Sequence, residues 1–218
     1  MAAGRRNPRQ DTVVDVGKGV TNKIIREFMD VRAGDTLPFT GFKRRSRNDL
    51  GELFARLGFK AGAEIGVCSG EYSEVLLKAN PELRLLCIDP WERYWSPWKY
   101  WVNTRRAETR FERTKERLAP YKAVEFVRKR SMEAVTDVPD QSLDFVYIDG
   151  LHDFDNAMMD VIAWSAKVRS GGVVSGHDYL NMYGGQVPAV VDAYTRAHQI
   201  NEWYVTRDRA PSWFWVKQ

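Results

Sequence analysis

The chain has 218 residues, of which 44% are hydrophobic and 28% charged, with a net charge of +4 at neutral pH. That length and balance suit one domain with an appended segment and exclude a fibrous or low-complexity chain. No apolar run approaches the roughly 20 residues needed to cross a bilayer, and MAAGRRNPRQ is followed by no apolar stretch of a secretory leader, so neither a helical span nor export is expected.

Residues 1–20 are polar and aperiodic, which predicts a mobile start. Residues 1–60 hold 13 Lys and Arg against 7 Asp and Glu, net +6, which leaves −2 for the rest. The densest part is KRRSR at 43–47. It reads as a solvated basic loop, with a surface for nucleic acid or an acidic partner as the alternative. TNKIIREFMDV (21–31) suits a short amphipathic helix. The following stretch is a loop broken by Gly34, Pro38 and Gly41. Leu50, Leu53, Phe54 and Leu57 fall at i, i+3, i+4 and i+7, marking a helix that Gly58 ends.

From residue 61 the chain alternates between short apolar runs and helical patterns. Strands are expected at 63–67, 84–88, 124–127, 143–148 and within GGVVSG (171–176). Helices are expected at 72–79, 107–118, 156–168 and 187–198, with a helical turn at 132–135. EWYVTRD and APSWFWVK close the chain as two aromatic strands with no helix between them. Repeated β-α units of this length predict an α/β fold, a doubly wound parallel sheet with an antiparallel hairpin at one edge. Such sheets bind ligands beyond the carboxyl ends of their strands, where the strand order reverses. Cys68 and Cys87 lack metal-site spacing and suit buried apolar roles in a reducing compartment, the cytoplasm by default.

After the first strand stands AEIGVCSGEYS. Dinucleotide sites carry G-x-G-x-x-G there, with a helix N-terminus facing a pyrophosphate. This chain has E-x-G-x-x-x-G instead, with Cys68 at the usual middle glycine. An acid at Glu64 disfavours a phosphate-bearing ligand and suits a cationic one. S-adenosylmethionine fits, having a sulfonium, an ammonium, and an adenosine that needs close backbone approach at Gly66 and Gly70. A tight strand–helix turn without a ligand is the plainer reading. Asp89 ends the second strand, 19 residues beyond Gly70, where a carboxylate accepts from both ribose hydroxyls and repels a 2′-phosphate. Alternatively it caps a turn before Pro90. Ser131 follows the third strand, able to offer its hydroxyl and backbone to an adenine edge, to cap a helical turn, or both. The fourth and fifth strands end in IDGLHDF and SGHDY, which put Asp149, His152, His177 and Asp178 on the same rim.

Taken in order, these residues resemble class I S-adenosylmethionine-dependent methyltransferases. The resemblance is to the branch with E-x-G-x-x-x-G, I-D-G-x-H and G-G-x-x-x-x-H-D motifs, akin to macrocin O-methyltransferase and called methyltransferase family 24. It covers about residues 60–216, and the first 60 match no motif of the family. It implies a Rossmann-like seven-stranded sheet, mostly parallel with an antiparallel C-terminal hairpin, and S-adenosylmethionine as donor. It also implies donor contacts from Glu64, Gly66, Gly70, Asp89 and Ser131; Trp91, which opens the aromatic stretch after Asp89, is read apart from the resemblance as lying nearest the donor. Asp149 and Asp178 match the carboxylates that hold Mg²⁺ in metal-dependent relatives, with His177 as a third candidate. His152 matches a general base, with Asp149 beside it able to position donor or base.

WERYWSPWKYW (91–101) brings Trp91, Tyr94, Trp95, Trp98 and Trp101 together at helical spacing, although Pro97 opposes an unbroken helix. It reads as an aromatic lid over donor or acceptor, or as packing against the N-terminal helices or a second copy in a homo-oligomer. GHDYLNMYGGQVP (176–188) reads as a mobile loop over the acceptor side, and His198 as a surface or structural residue. The expected activity is O-methylation of a small hydroxylated acceptor. The contrasting expectation is a catalytically inactive donor-binding module acting on nucleic acid or a protein through the basic N-terminal segment.

Overall fold

Short apolar runs become strands here, buried on both faces at the centre of the sheet and only partly at its Val124–Val127 edge, and the helices between them supply that cover. The computed structural model of the chain describes residues 18–92, 94–96, 100–102, 104–180 and 186–218. Helices α1 (Lys18–Met29) and α2 (Arg47–Arg56) lead into β1 (Ala61–Ile65), α3 (Glu71–Ala79) and β2 (Arg84–Ile88). A small hairpin follows, β3 (Tyr94–Ser96) and β4 (Tyr100–Val102), and then α4 (Thr104–Leu118), β5 (Val124–Val127) and α5 (Ser131–Ala134). The chain continues through β6 (Leu143–Ile148), α6 (Phe154–Lys167), β7 (Val168–Gly176), α7 (Val187–Ala197), β8 (Trp203–Val205) and β9 (Trp213–Val216).

Seven strands form one sheet in the order β5-β2-β1-β6-β7-β9-β8. β5, β2, β1, β6 and β7 run parallel, and β9 pairs antiparallel with both β7 and β8. Strand order reverses between β1 and β6, so the crevice of the fold opens at their carboxyl ends.

Alternate strand residues feed two cores. Leu85, Cys87, Phe145, Tyr147 and Val173 meet α1, α2, α3 and Leu118 of α4, while Ile65, Ile88, Val146, Ile148 and Val174 meet α5, α6 and α7. The segment before β1 is part of the first core: Ile25, Met29, Leu50, Leu53 and Phe54 are buried in it. Phe54 of α2 stacks on Phe145 of β6 with ring centroids 4.3 Å apart. Gly62 of β1 makes room for this, since a Cβ there would lie 2.2 Å from the Phe145 ring.

Some expected boundaries move. β1 lies two residues earlier than expected, because Gly66 takes φ +90 and turns the chain out of the sheet. The helical spacing in 91–101 gives no helix: the backbone forms β3 and β4, pairing Tyr94 with Val102. Proline within the stretch denies a helix its interior hydrogen bond, and aromatic residues suit strands. The expected lid contacts of Tyr94, Trp95, Trp98 and Trp101 lie outside the described residues. So do 1–17 of the expected mobile start and 181–185 of the expected acceptor loop; Lys18–Val20 already belong to α1.

Candidate active site

The bend after β1 is forced by its neighbours. The Asp149 amide donates to Ile65 O at 2.8 Å and the Gly66 amide to Ile88 O at 2.8 Å, so three strand ends converge. A Cβ on Gly66 would stand 2.0 Å from Asp149 O, which leaves room for glycine alone. Gly70, at φ +76, caps α3. Cys68 occupies the left-handed region at φ +57, where a side chain costs on the order of 1 kcal/mol. Its conformation is pinned on both sides: its amide donates to Asp89 Oδ2 at 2.9 Å, and its carbonyl accepts from Trp91 Nε1 at 2.8 Å and Thr114 Oγ1 at 3.1 Å. Asp89 also accepts from the Trp91 amide through Oδ1 at 2.8 Å. Burial raises its pKa while these backbone donors pull it down, and each oxygen keeps a further lone pair for a ligand hydroxyl.

A cavity of about 830 Å³ runs across these strand ends, a size suited to a nucleoside-bearing ligand. Ser131 and Met132 line it beyond β5, Asp89 and Trp91 beyond β2, Gly66 and Cys68 beyond β1, Asp149 and His152 beyond β6. Trp91 is a supporting wall: it is almost fully buried and packs on Phe111 at 4.8 Å. Glu64 is not among the lining residues. It is buried behind the bend, accepts a hydrogen bond from Ser73, and is pushed up to about 8 by that burial, with Ser73 and Arg47 opposing and Asp149 adding to the rise.

Two carboxylates and two imidazoles meet beyond β6 and β7. His152 Nε2 lies 3.5 Å from Asp149 Oδ1 and 3.3 Å from Asp178 Oδ2, and His177 Nδ1 lies 3.5 Å from Asp149 Oδ2 and 3.3 Å from Asp178 Oδ1. Burial would raise the Asp149 pKa, but His152 and His177 outweigh it and hold the carboxyl well below its usual range. Contact with Asp149 raises His152 against the opposing effect of burial. Burial lowers His177, yet Asp149 and Asp178 bring it to about 9. Asp178 itself sits at φ +57. Strain of this kind, shared with Cys68 and Trp91 on the same rim, marks sites where geometry is imposed by surrounding structure.

The ligand atoms of Asp149, His152 and Asp178 come within 4.8 Å of one another. His152 Nε2 is a buried nitrogen with no hydrogen-bond partner among the described residues. An orphaned imidazole nitrogen facing two carboxylates fits a divalent cation. His177, the expected third ligand, stands on the other side of the same carboxylates, outside that trio.

Two residues here escaped the sequence reading. Arg47, the first residue of α2, brings Nη1 to 3.7 Å from Asp149 Oδ2 and packs its guanidinium over Tyr72. The SRND opening of α2 signals this position: Asp49 accepts from the Ser46 amide and hydroxyl, both at 2.8 Å, and so sets Arg47 on the first turn. Asp160 is the other, a buried acid on the apolar stripe of α6 with Ala157, Val161 and Trp164. Ser131 reaches it: the Ser131 hydroxyl donates to Asp160 and accepts from Trp164 Nε1.

Residues 63–179, just over half of the chain, match the model of a methyltransferase domain family. The chain belongs to methyltransferase family 24. This methyltransferase gives no significant match among curated proteins. Its fold recurs in the O-methyltransferase TomG of Streptomyces achromogenes, solved with S-adenosylmethionine, at 18% identity and TM-score 0.54 over 96% of this chain and 92% of that one. An O-methyltransferase of Bacillus cereus, solved with S-adenosylhomocysteine, aligns at 14% identity and TM-score 0.55 over 94% of both chains. The N-methyltransferase NodS of Bradyrhizobium japonicum aligns at 14% identity and TM-score 0.51 over 78% of this chain and 94% of that one. The enzyme is thus a class I S-adenosylmethionine-dependent methyltransferase.

Proposed function

We propose that this methyltransferase methylates a hydroxyl group of a small acceptor, with His152 as general base. The observation that carries the reading is the position of His152: it lines the donor-sized cavity while its Nε2 faces Asp149 and Asp178. S-adenosylmethionine supplies a methyl group for in-line displacement at carbon, and its sulfur leaves as a neutral thioether. The ribose diol falls to Asp89, whose two oxygens each keep a lone pair, and the close-approaching backbone of Gly66 and Cys68 lies beneath the donor. The acceptor hydroxyl gives its proton to Nε2 as its oxygen bonds to the methyl carbon. The resulting imidazolium is stabilised by the carboxylates on either side of it. Arg47 offsets part of the negative charge that Asp149 and Asp178 concentrate there.

Asp149 and Asp178 would hold Mg²⁺, which when bound anchors vicinal acceptor oxygens and favours the alkoxide. A second reading has one specific support. His152 Nε2 is itself within the trio spaced for an ion, so the imidazole would be a ligand instead of a base. His152→Ala separates the two. As base, its loss lowers transfer to a panel of hydroxylated acceptors by about 10²–10⁴-fold, with Mn²⁺ affinity, read by calorimetry, retained. As ligand, its loss weakens Mn²⁺ binding as well. Undiminished transfer would remove His152 from the chemistry.

The basic segment bears on the contrasting reading of an inactive module. Arg44 donates to Arg207 O, Arg45 to Phe28 O with Asp49 beside it, and Arg47 stands at Asp149. Three cations of KRRSR are therefore engaged within the chain, and one of them, Arg47, reaches the acidic cluster of the site.

A further inference from the structure

Asp149 and Asp178, the carboxylates placed to hold an ion, already have a permanent cation beside them. Arg47 opens α2, ahead of the first strand, and its backbone is anchored without help from the acidic cluster. Its amide donates to Asp208 Oδ2 at 3.2 Å, and its carbonyl accepts from the Tyr72 hydroxyl at 3.1 Å. The turn between β8 and β9 ties down the residues just before it: the Arg207 amide donates to Arg45 O at 2.8 Å, and Arg44 Nε donates to Arg207 O at 3.2 Å. The Arg47 guanidinium rests over the Tyr72 ring, 5.4 Å from its centroid, and that ring packs on Tyr147 at 4.1 Å.

The cluster itself has two sides. Asp149 Oδ1 and Asp178 Oδ2 face His152, whereas Asp149 Oδ2 and Asp178 Oδ1 face His177. Arg47 stands on the second side, with Nη1 3.7 Å from Asp149 Oδ2. That distance is too long for a hydrogen bond, so the charge acts through space. A guanidinium keeps its proton at any working pH. A divalent ion held by Asp149, His152 and Asp178 would therefore share the Asp149 carboxylate with a second cation, one that the anchored backbone and the ring beneath it keep in place. We propose that Arg47 is a resident counter-ion of this cluster: it occupies the His177 side of Asp149, confines a divalent cation to the His152 side, and lowers the affinity for that cation. The inference rests on the reading of Asp149 and Asp178 as ion ligands, and the test keeps the two apart.

Calorimetric titration with Mn²⁺, at one pH and ionic strength, would compare the wild type with Arg47→Gln, Arg47→Met and Arg47→Lys. Glutamine and methionine both remove the charge, and methionine keeps an apolar stem over Tyr72. Each should bind Mn²⁺ about tenfold more tightly than the wild type, the scale of a unit charge near a divalent ion in a partly screened site. Arg47→Lys retains the charge and should stay within about threefold of the wild type. A substitution that merely loosened the site would weaken Mn²⁺ binding, so a gain in affinity isolates the charge, and either neutral variant suffices if the other does not fold. Unchanged or weaker binding in the neutral variants overturns the proposal. So does equal tightening in Arg47→Lys, which would assign the effect to shape. Binding of Mn²⁺ by none of the four proteins would overturn the ion reading of Asp149 and Asp178, and this inference with it.

Discussion

Glu64 shows how burial changes what a sequence motif means. An acid in a strand just before a glycine bend suggests a carboxylate waiting for a cation, but this one is sealed behind that bend and pushed up to about 8 by burial. In an unfolded chain it titrates near 4.5. Between those values the folded protein binds the extra proton, so Glu64 makes stability fall as pH rises from about 4.5 to about 8. Glu64→Gln removes the titration. Its urea midpoint should fall less than that of the wild type across this window, and parallel curves would show that Glu64 ionises normally. Asp89, Asp149, His152 and Asp178 were legible because each lies within four residues of the end of an apolar strand, and the fold puts strand ends on one rim. Arg47 and Asp160 were not. Arg47 lies in a basic run whose local pattern describes a solvated loop, and only the docking of α2 on β6 brings it to Asp149. Asp160 occupies a position that helical periodicity assigns to the core, and its partner Ser131 is 29 residues away.

Among the elements, α2 joins stability to the site. Its apolar face, Leu50, Leu53 and Phe54, is buried against the sheet, and its first residue stands at the acidic cluster. Phe54→Ala should cost about 3–5 kcal/mol in urea denaturation. It should also weaken S-adenosylhomocysteine binding, because Arg47 and Tyr72 are held by the same packing: the Tyr72 hydroxyl donates to Arg47 O at 3.1 Å. Phe54→Leu should recover most of both. Full donor affinity in a strongly destabilised Phe54→Ala would disconnect the helix from the site. The periodic elements were readable because four to six apolar residues between turn signals leave few alternatives. The 91–101 stretch misled because spacing is silent on backbone choice when proline and aromatic residues compete, and β1 shifted because Gly66 ends the strand through a contact with Asp149 that no local pattern contains.

At the scale of the molecule, the chain spends its most constrained positions on one crevice. The reversal of strand order between β1 and β6 creates the opening, glycine lets three strand ends converge, and two cores fix the sheet beneath. The same fold recurs in structures that carry O- and N-methyltransferase names, and loops vary more than the strands that hold them. The central claim is that the crevice holds the donor with its ribose at Asp89 and its sulfur toward His152 and Asp149. A crystal structure of the protein with S-adenosylhomocysteine tests it most directly. The account predicts both ribose hydroxyls on the Asp89 carboxylate, the base beside Ser131 and Asp160, and the sulfur facing His152; a nucleoside bound elsewhere, or reversed in the crevice, would contradict it.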